Sequence, residues 1–575
     1  MHRKSPYTPC DAEFTVKIDA WQPMPRGFID VFGRDAFKRL NDRERSFCAA
    51  SRKIVALTFE NRFAQLGGLA AVMRRLPEYL RKAGEDVILL TPLYVNIPGV
   101  KEALSGGLLE LVVPKKRFKS PLYKGTLSCY CDTGASVPAY FIGVSGRFTA
   151  EFNPYSYADT DDLLSDALAF CAAVPFVLNK LGIKENIVFH AHDWETALVA
   201  LTSKQAVLDS VLESARTVLT LHNSFDSGVS GVSGSLSGDT VLQCAIPLLN
   251  GPLTTVSTPF AGEMRSDALQ RTVFTNHLQD AFSLNPPVGI ENGMFGRPYL
   301  QYTYSALSRA RQGSFTALLA QKARFREKML EVAGTVGGHS DVIGVLKGIT
   351  DETPVFFMSG RLDLMQKGFD VIFRAIQKFP AGGVKLIFCP SSAEGAKHAK
   401  ELAFFRGIAD ERRGDVVVWP FRITATDYGS ILRGSSFLLM PSFYKPFGAA
   451  TEGFMHGTPV VARATGGLQV QVSPGDVHGG ATGILYREEG GGGGDWKKIL
   501  AMSIPDRIKV PLYRSMVKEA FEALSAAAAV FADPETYGGM IINGIDSLKS
   551  FSWNTAVEKY RRVYDTASRR GFFDD

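Results

Sequence analysis

The chain has 575 residues, of which 45% are hydrophobic and 21% charged, and a mean hydropathy near zero; that length can enclose two sizeable cores. A net charge of +6 without a dense basic stripe gives no support to a nucleic-acid partner and suits an anionic small molecule. Seven scattered cysteines lack zinc or disulfide spacing, no apolar segment follows the first basic residues, and no run of about 18 apolar residues marks a membrane span. The expectation is a cytoplasmic protein with reduced thiols and no membrane partner, a plastid location staying open.

Residues 1–50 are mixed in charge without a sustained period and read as a loosely packed extension. From there to about residue 300, apolar runs recur between helical segments, at Ile54–Thr58, Asp86–Thr91, Ile187–His190, Thr217–Leu221, Thr254–Val256 and Val288–Ile290. They are continuously apolar, as expected of parallel strands covered on both faces. A polar, helix-prone stretch occupies Ser305–Val336 within a 301–350 linker. A second series follows over 351–548, at Val355–Met358, Val384–Cys389, Val416–Trp419, Phe437–Met440, Pro459–Ala462 and Gly483–Tyr486. Gly490–Gly494 reads as a mobile surface loop, and the alanine-rich Ala520–Val530 as helix. Two βα series predict an α/β protein of two doubly wound parallel-sheet domains, with ligands beyond the strand carboxyl ends.

Two glycine turns stand at strand-to-helix junctions: Gln65-Leu66-Gly67-Gly68-Leu69 and Ala464-Thr465-Gly466-Gly467-Leu468. After the first, Leu69, Val72, Met73, Leu76 and Leu80 fall on one helical face. Such turns let backbone N–H groups and the helix dipole close around an anion. Two of them predict two sheet domains facing one phosphate-bearing ligand. A complete G-x-G-x-x-G turn with an acid about 20 residues on, as dinucleotide binding needs, is found in neither half.

An ordered series of strings resembles the bacterial glycogen synthase and plant starch synthase family. It comprises Lys53-Ile54-Val55 with Glu60 and Gly67-Gly68-Leu69, then His190-Ala191-His192-Asp193-Trp194, Thr220-Leu221-His222-Asn223, Thr255-Val256-Ser257 and Glu291-Asn292-Gly293. Ser359-Gly360-Arg361-Leu362, Gln366-Lys367-Gly368, Met440-Pro441-Ser442, Pro446-Phe447-Gly448 and Gly457-Thr458-Pro459-Val460-Val461 follow, before Thr465-Gly466-Gly467-Leu468. Phe551-Ser552-Trp553 with Lys559-Tyr560 resembles a terminal helix, 549–575, that returns to the first domain.

The resemblance implies the GT-B architecture: two Rossmann-like domains, 51–300 on the acceptor side and 351–548 on the donor side, facing a central cleft. It implies retaining transfer of glucose from ADP-glucose or UDP-glucose to the non-reducing end of an α-1,4-glucan, without a metal ion or other cofactor. The departing diphosphate must then be met by cationic side chains and backbone N–H groups. Arg361 and Lys367 match the diphosphate-binding pair, although their spacing is one residue longer than the family's. His222 matches a histidine near the donor sugar, and Asp193 an acid that positions sugar or acceptor. Gly67, Gly68, Asn292, Thr465, Gly466 and Gly467 fall in donor-binding strings, and Glu452 matches an acid that binds nucleotide ribose.

The residues also allow plainer roles. His190 and His192 read as structural histidines at a strand end, and no metal is assigned. Asp193 suits a helix N-cap as well as a ligand contact. Asp159-Thr160-Asp161-Asp162 reads as a solvated helix start, and Tyr155 and Tyr157 offer faces for stacking on an acceptor glucan. Three departures touch the chemistry: Gln65 stands where the family has Lys, Ala71 where it usually has Asp, and Lys445 where it has Glu. If Lys445 reaches the diphosphate, it partly offsets the cation that Gln65 removes; if it does not, catalysis is lost while binding survives. Two rivals stay open: a weak or inactive relative acting as a glucan-binding or regulatory subunit, and a same-fold transferase with another acceptor. Assembly as a homo-oligomer or synthase complex is likewise open.

Overall fold

The computed structural model describes residues 8–157, 159–229, 239–296, 301–391, 398–475 and 480–569. Residues 1–7 of the N-terminal extension lie outside that set. The chain divides into two compact units: an N-terminal unit of Tyr7–Arg265, Phe274–Phe295 and Ser552–Asp575, and a C-terminal unit built on Ser266–Val273 and Gly296–Phe551. Among the described residues, no helix is long and apolar enough to cross a membrane.

The N-terminal unit is organised by a nine-stranded sheet: β1 Lys53–Leu57, β2 Asp86–Pro92, β3 Leu109–Lys119, β4 Lys124–Asp132, β5 Ala139–Val144, β6 Ile187–His192, β7 Ala215–Leu221, β8 Thr254–Thr255 and β9 Val288–Gly289. Their order is β3-β4-β5-β2-β1-β6-β7-β8-β9. β1 lies parallel between β2 and β6, with Val55 opposite both Ile88 and Phe189. Its apolar residues are all buried, which is why it carries no polar alternation. The parallel sheet expected from sequence gains an antiparallel extension, β3 on β4 and β4 on β5. On β3, at the sheet edge, only Leu109, Val113 and Phe118 are buried. Its exposed Lys115, Lys116 and Arg117 blunt the edge and hide the strand from a search for apolar runs.

The N-terminal segment is not loosely packed. Helices Thr8–Ala20, Pro25–Phe32 and Arg34–Glu44 bury Phe14, Ile18, Phe28 and Leu40, and the buried Trp21, just after the first helix, donates its indole N–H to Asn285 at 3.0 Å. Glu44 carries a fully buried carboxylate into an ion pair with Arg216 of β7. Pro23, Pro25 and Gly33 break the segment into short pieces, so no period lasts long enough to read. At the other end of the chain, helix Trp553–Arg569 turns Trp553, Ala556, Val557, Tyr560, Val563 and Tyr564 inward on the same unit. The Trp553 indole donates to the Met294 carbonyl at 2.7 Å, and a Cβ at Gly293 would stand 2.4 Å from that ring.

The C-terminal unit carries β10 Ile343–Gly344, β11 Val355–Arg361, β12 Lys385–Ser391, β13 Val416–Val418, β14 Phe437–Met440, β15 Val460–Arg463 and β16 Gly483–Tyr486. The order is β10-β13-β12-β11-β14-β15-β16. Apart from the two-residue antiparallel β10, this is the Rossmann order, which reverses between β11 and β14. The N-terminal sheet reverses in the same way between β1 and β6. Helix Pro511–Ala532 contains the alanine-rich stretch. The glycine run departs from the expected loop: Gly493 and Gly494 open helix Gly493–Ala501, and Asp495 accepts from the Gly492 N–H. Gly491 and Gly493 pack so closely against Leu512 and Thr272 that a Cβ would collide, and Gly491 also passes with φ of 88°.

Candidate active site

In each unit, several of the sequence-derived residues stand beyond strand carboxyl ends near the point where the strand order reverses. In the N-terminal unit, the chain leaves β1 and folds Glu60 back beneath the first glycine turn. The buried Glu60 carboxylate accepts from the N–H groups of Leu66 at 3.1 Å, Gly67 at 3.0 Å and Ala70 at 3.3 Å. An anion thus sits at the N-terminus of helix Gly68–Lys82, the position its dipole favours. The Gly67 N–H, expected to face a ligand, is held by this internal carboxylate, while Gln65, Gly67 and Gly68 themselves are exposed. Ala71 is half-buried one turn on.

Three histidines line up at the carboxyl ends of β6 and β7, His190 and His192 within β6 and His222 just after β7. His190 is fully partnered, by Thr220 Oγ1 at 2.7 Å and the Tyr564 hydroxyl at 2.8 Å, and is structural. His192 Nδ1 and His222 Nε2 share a hydrogen bond of 2.9 Å, whereas the buried His192 Nε2 has no partner among the described residues. Burial lowers His222 and His190 to about 3, so both are neutral hydrogen-bonding groups at neutral pH.

Asp193 occupies the N-cap position of helix Trp194–Ala197 with φ of 61°, but its side chain makes no cap bond. It reaches across to β7's loop instead, accepting from the His222 N–H at 2.6 Å and the Asn223 amide at 3.1 Å. Burial pushes its carboxyl up to about 7, and those two donors only partly offset this. Glu195, buried beside it, is pushed further the same way by burial and by Asp193. Asn292 is buried, with its side-chain oxygen unpartnered among the described residues.

Tyr155 and Tyr157 are half-buried and pack on the unit's core. The Tyr157 hydroxyl donates to Asp166 at 2.5 Å, and Asp166 also accepts from the Phe148 N–H at 2.8 Å. Both rings thereby fix the loop. Phe152, which sequence reasoning passed over, is the ring in this loop left 79% exposed. Asp159 accepts from the Asp161 N–H as the N-cap of helix Thr160–Lys180.

In the C-terminal unit, β11 ends in Arg361 and β14 leads to Lys445. A pocket of ≈ 170 Å³ lies at their carboxyl ends, its wall including Ser359, Gly360, Lys367, Tyr428, Lys445 and Glu452. The Lys367 N–H bonds to the Asp363 carbonyl at 2.7 Å, closing the turn after Arg361, and the Phe443 N–H bonds to the Gln366 carbonyl at 2.7 Å. Gly368 then passes with φ of 59°, where a Cβ would lie 2.3 Å from the Pro441 carbonyl. These contacts bring Lys367 to Lys445 despite the extra residue after Arg361.

Burial, Lys445 and Arg361 hold Lys367 well below the ordinary lysine range. Lys445 is lowered by burial and supported by Glu452. Burial raises Glu452, opposed by Lys445 and by the Tyr428 hydroxyl at 3.5 Å, which Ser359 meets at 3.2 Å. Ser359 and Tyr428 were not singled out from sequence; Tyr428, on helix Ala425–Gly434, carries no local motif.

The second glycine turn packs against this loop. At Gly466 φ is 45° and a Cβ would stand 2.1 Å from the Lys445 carbonyl oxygen. The Gly467 N–H donates to the Lys445 carbonyl at 2.9 Å and the Pro446 carbonyl at 3.0 Å. Thr465 is buried beside them. Gly466 and Gly467 therefore set the course of the Lys445 loop, and the Gly467 N–H is taken internally. Buried Arg463 strengthens the same wall by donating to the Phe443 carbonyl at 2.6 Å and to Glu488 at 2.7 Å.

A family model described as the starch synthase catalytic domain matches residues 53–247, and one described as family 4 glycosyltransferase in conflict systems matches 324–482. A glycogen synthase of Geotalea daltonii is 23% identical over 87% of this chain and 96% of its own length. One of Desulfitobacterium hafniense is 25% identical over 89% and 98%. The catalytic domain of starch synthase IV from Arabidopsis thaliana, solved with ADP and acarbose, shares the fold. Its TM-score is 0.66 at 19% identity, over 90% of this chain and 99% of that one. Taken together, these matches make the chain similar to the glycogen/starch synthase-like glycosyltransferases over most of its length, with the two Rossmann-like units of the GT-B fold.

Proposed function

We propose that the chain is a retaining glucosyltransferase that moves glucose from ADP-glucose or UDP-glucose to the non-reducing end of an α-1,4-glucan. The observation that supports this most is the cation-rich pocket at the strand-order reversal of the C-terminal sheet, where Lys367 and Lys445 share a wall and Arg361 stands close by. As the bond from the anomeric carbon to the diphosphate oxygen breaks, negative charge grows on the leaving group, and fixed cations there stabilise it. The acceptor hydroxyl enters on the face the diphosphate leaves and passes its proton to a departing phosphate oxygen. Glu452, a carboxylate in the same pocket, accepts from ribose hydroxyls. His222, neutral and fixed by Asp193 and His192, offers hydrogen bonds to the sugar without adding charge. The reading assigns the leaving-group charge to side chains and calls on no cofactor.

A second reading, a glucan-binding relative without turnover, draws on the Gly67 N–H being held by Glu60 and on Lys445 standing in the pocket. Incubation with radiolabelled ADP-glucose or UDP-glucose, with and without glycogen, separates the two. Label in polymer supports the synthase. Glycogen binding without incorporation supports the second reading, and label in a small product points to another acceptor.

A further inference from the structure

Lys367 and Lys445 line one small pocket, with their amino groups in hydrogen-bond reach of each other. An ammonium group has three donors and no acceptor, so a bond between two lysine amines needs one of them neutral. The surroundings decide which. Lys445 has Glu452, from helix Ala450–Met455, as its carboxylate partner. Lys367 meets Lys445 and Arg361, relieved only by Asp363. Tyr444 lies near Asp363 and Arg361, and Tyr428 near Glu452; both phenols are held protonated by burial, and so add no charge. Three bases thus face two carboxylates, and Lys367 is the amine that stays unprotonated.

We propose that a diphosphate-bearing ligand binds this pocket together with one proton, which Lys367 takes up from solvent. Lys367–NH₂ plus H⁺ becomes Lys367–NH₃⁺, and the ligand's negative charge lets both ammonium groups exist side by side. This rests on the reading of the pocket as the donor diphosphate site, and it gives that site a built-in pH response. Below the free-state pKa of Lys367 the amine is already charged, and affinity is flat. Between the free and bound values, affinity falls by about tenfold per pH unit as the proton becomes scarcer.

Isothermal titration of the full chain with inorganic pyrophosphate, and separately with ADP, tests this in buffers of different ionisation enthalpy from about pH 6 to about pH 10. The expected result is a buffer-dependent heat corresponding to as much as about one proton taken up per ligand. Lys445→Gln removes one of the competing cations, so Lys367 holds its proton to higher pH and the uptake at a given pH shrinks while pyrophosphate still binds. A purely structural role for Lys445 would weaken binding and leave the buffer dependence intact. Wild-type binding with buffer-independent heat at every pH overturns the proton coupling and leaves the donor-site reading standing. Failure of both pyrophosphate and ADP to bind overturns both.

Discussion

Replacement of Gly466 by alanine is the sharpest perturbation the geometry offers. Its φ of +45° places an alanine in left-handed backbone, at a cost of about 1–2 kcal/mol. The new Cβ would stand 2.1 Å from the Lys445 carbonyl oxygen, where ordinary contact starts at 3.4 Å. One backbone must then give by about 1 Å in a tightly packed wall. Moving that carbonyl also loosens the bond it accepts from Gly467 at 2.9 Å, for about another 1 kcal/mol. The sum is about 2–3 kcal/mol of stability. Displacement of Lys445 by about 1 Å should also weaken ADP binding, by about tenfold or more if one charge-assisted hydrogen bond to the diphosphate is lost. Gly490→Ala is the control: φ is +73° with nothing within 4 Å of a Cβ, so only the backbone cost of about 1–2 kcal/mol applies. Denaturant midpoints for the three proteins, with ADP affinity by calorimetry, read both effects. If Gly466→Ala is no less stable than Gly490→Ala, or binds ADP with wild-type affinity, the glycine turn does not shape the Lys445 loop.

Arg361→Ala should reduce kcat/KM by the equivalent of about 2–4 kcal/mol in the polymer-incorporation assay, because a transition-state charge contact is lost; a normal rate would remove Arg361 from the mechanism. Glu44→Gln leaves Arg216 buried without its counter-charge and should cost about 3–5 kcal/mol. The thermal midpoint measures this, and an unchanged value would mean the Glu44–Arg216 pair adds nothing to the stability of the first unit. Asp193, raised to about 7 from an ordinary carboxylate value of 3.8, ionises less readily folded than unfolded. Wild-type stability should therefore decline as pH rises from the ordinary value through about 7, and level off above. Asp193→Asn lacks that ionisation, so its stability relative to wild type should improve over the same interval; a pH-independent difference would contradict it.

Strands were legible where both faces are covered. Phe437–Met440 and Gly483–Tyr486 are read from sequence with the bounds they have in the fold, since buried parallel strands are simple apolar runs. β3 was not, because an edge strand with exposed lysines has neither an apolar run nor alternation. In the site, Arg361 and Lys367 stand out because a glycine adjoins each at a strand end or helix start. The folding back of Glu60 onto Leu66, Gly67 and Ala70 has no pattern, since a carboxylate and three amides in one loop look like any polar turn. The meeting of Lys445 with Lys367, and of its carbonyl with Gly467, depends on tertiary approach across the sheet and leaves no local trace.

Helix Trp553–Arg569 bears on how the protein is made. Tyr564 supplies a hydrogen bond to His190, and Trp553 covers Gly293, yet both follow the C-terminal unit in chain order. The first unit is thus synthesised early and finished late, with the whole C-terminal unit produced in between. A nascent or prematurely terminated chain carries an uncovered apolar face on its N-terminal sheet, which is a signal for chaperone holding or degradation. Closure of the first core therefore waits until the C-terminal unit has been made, so chains cut short within that unit lack the covering helix.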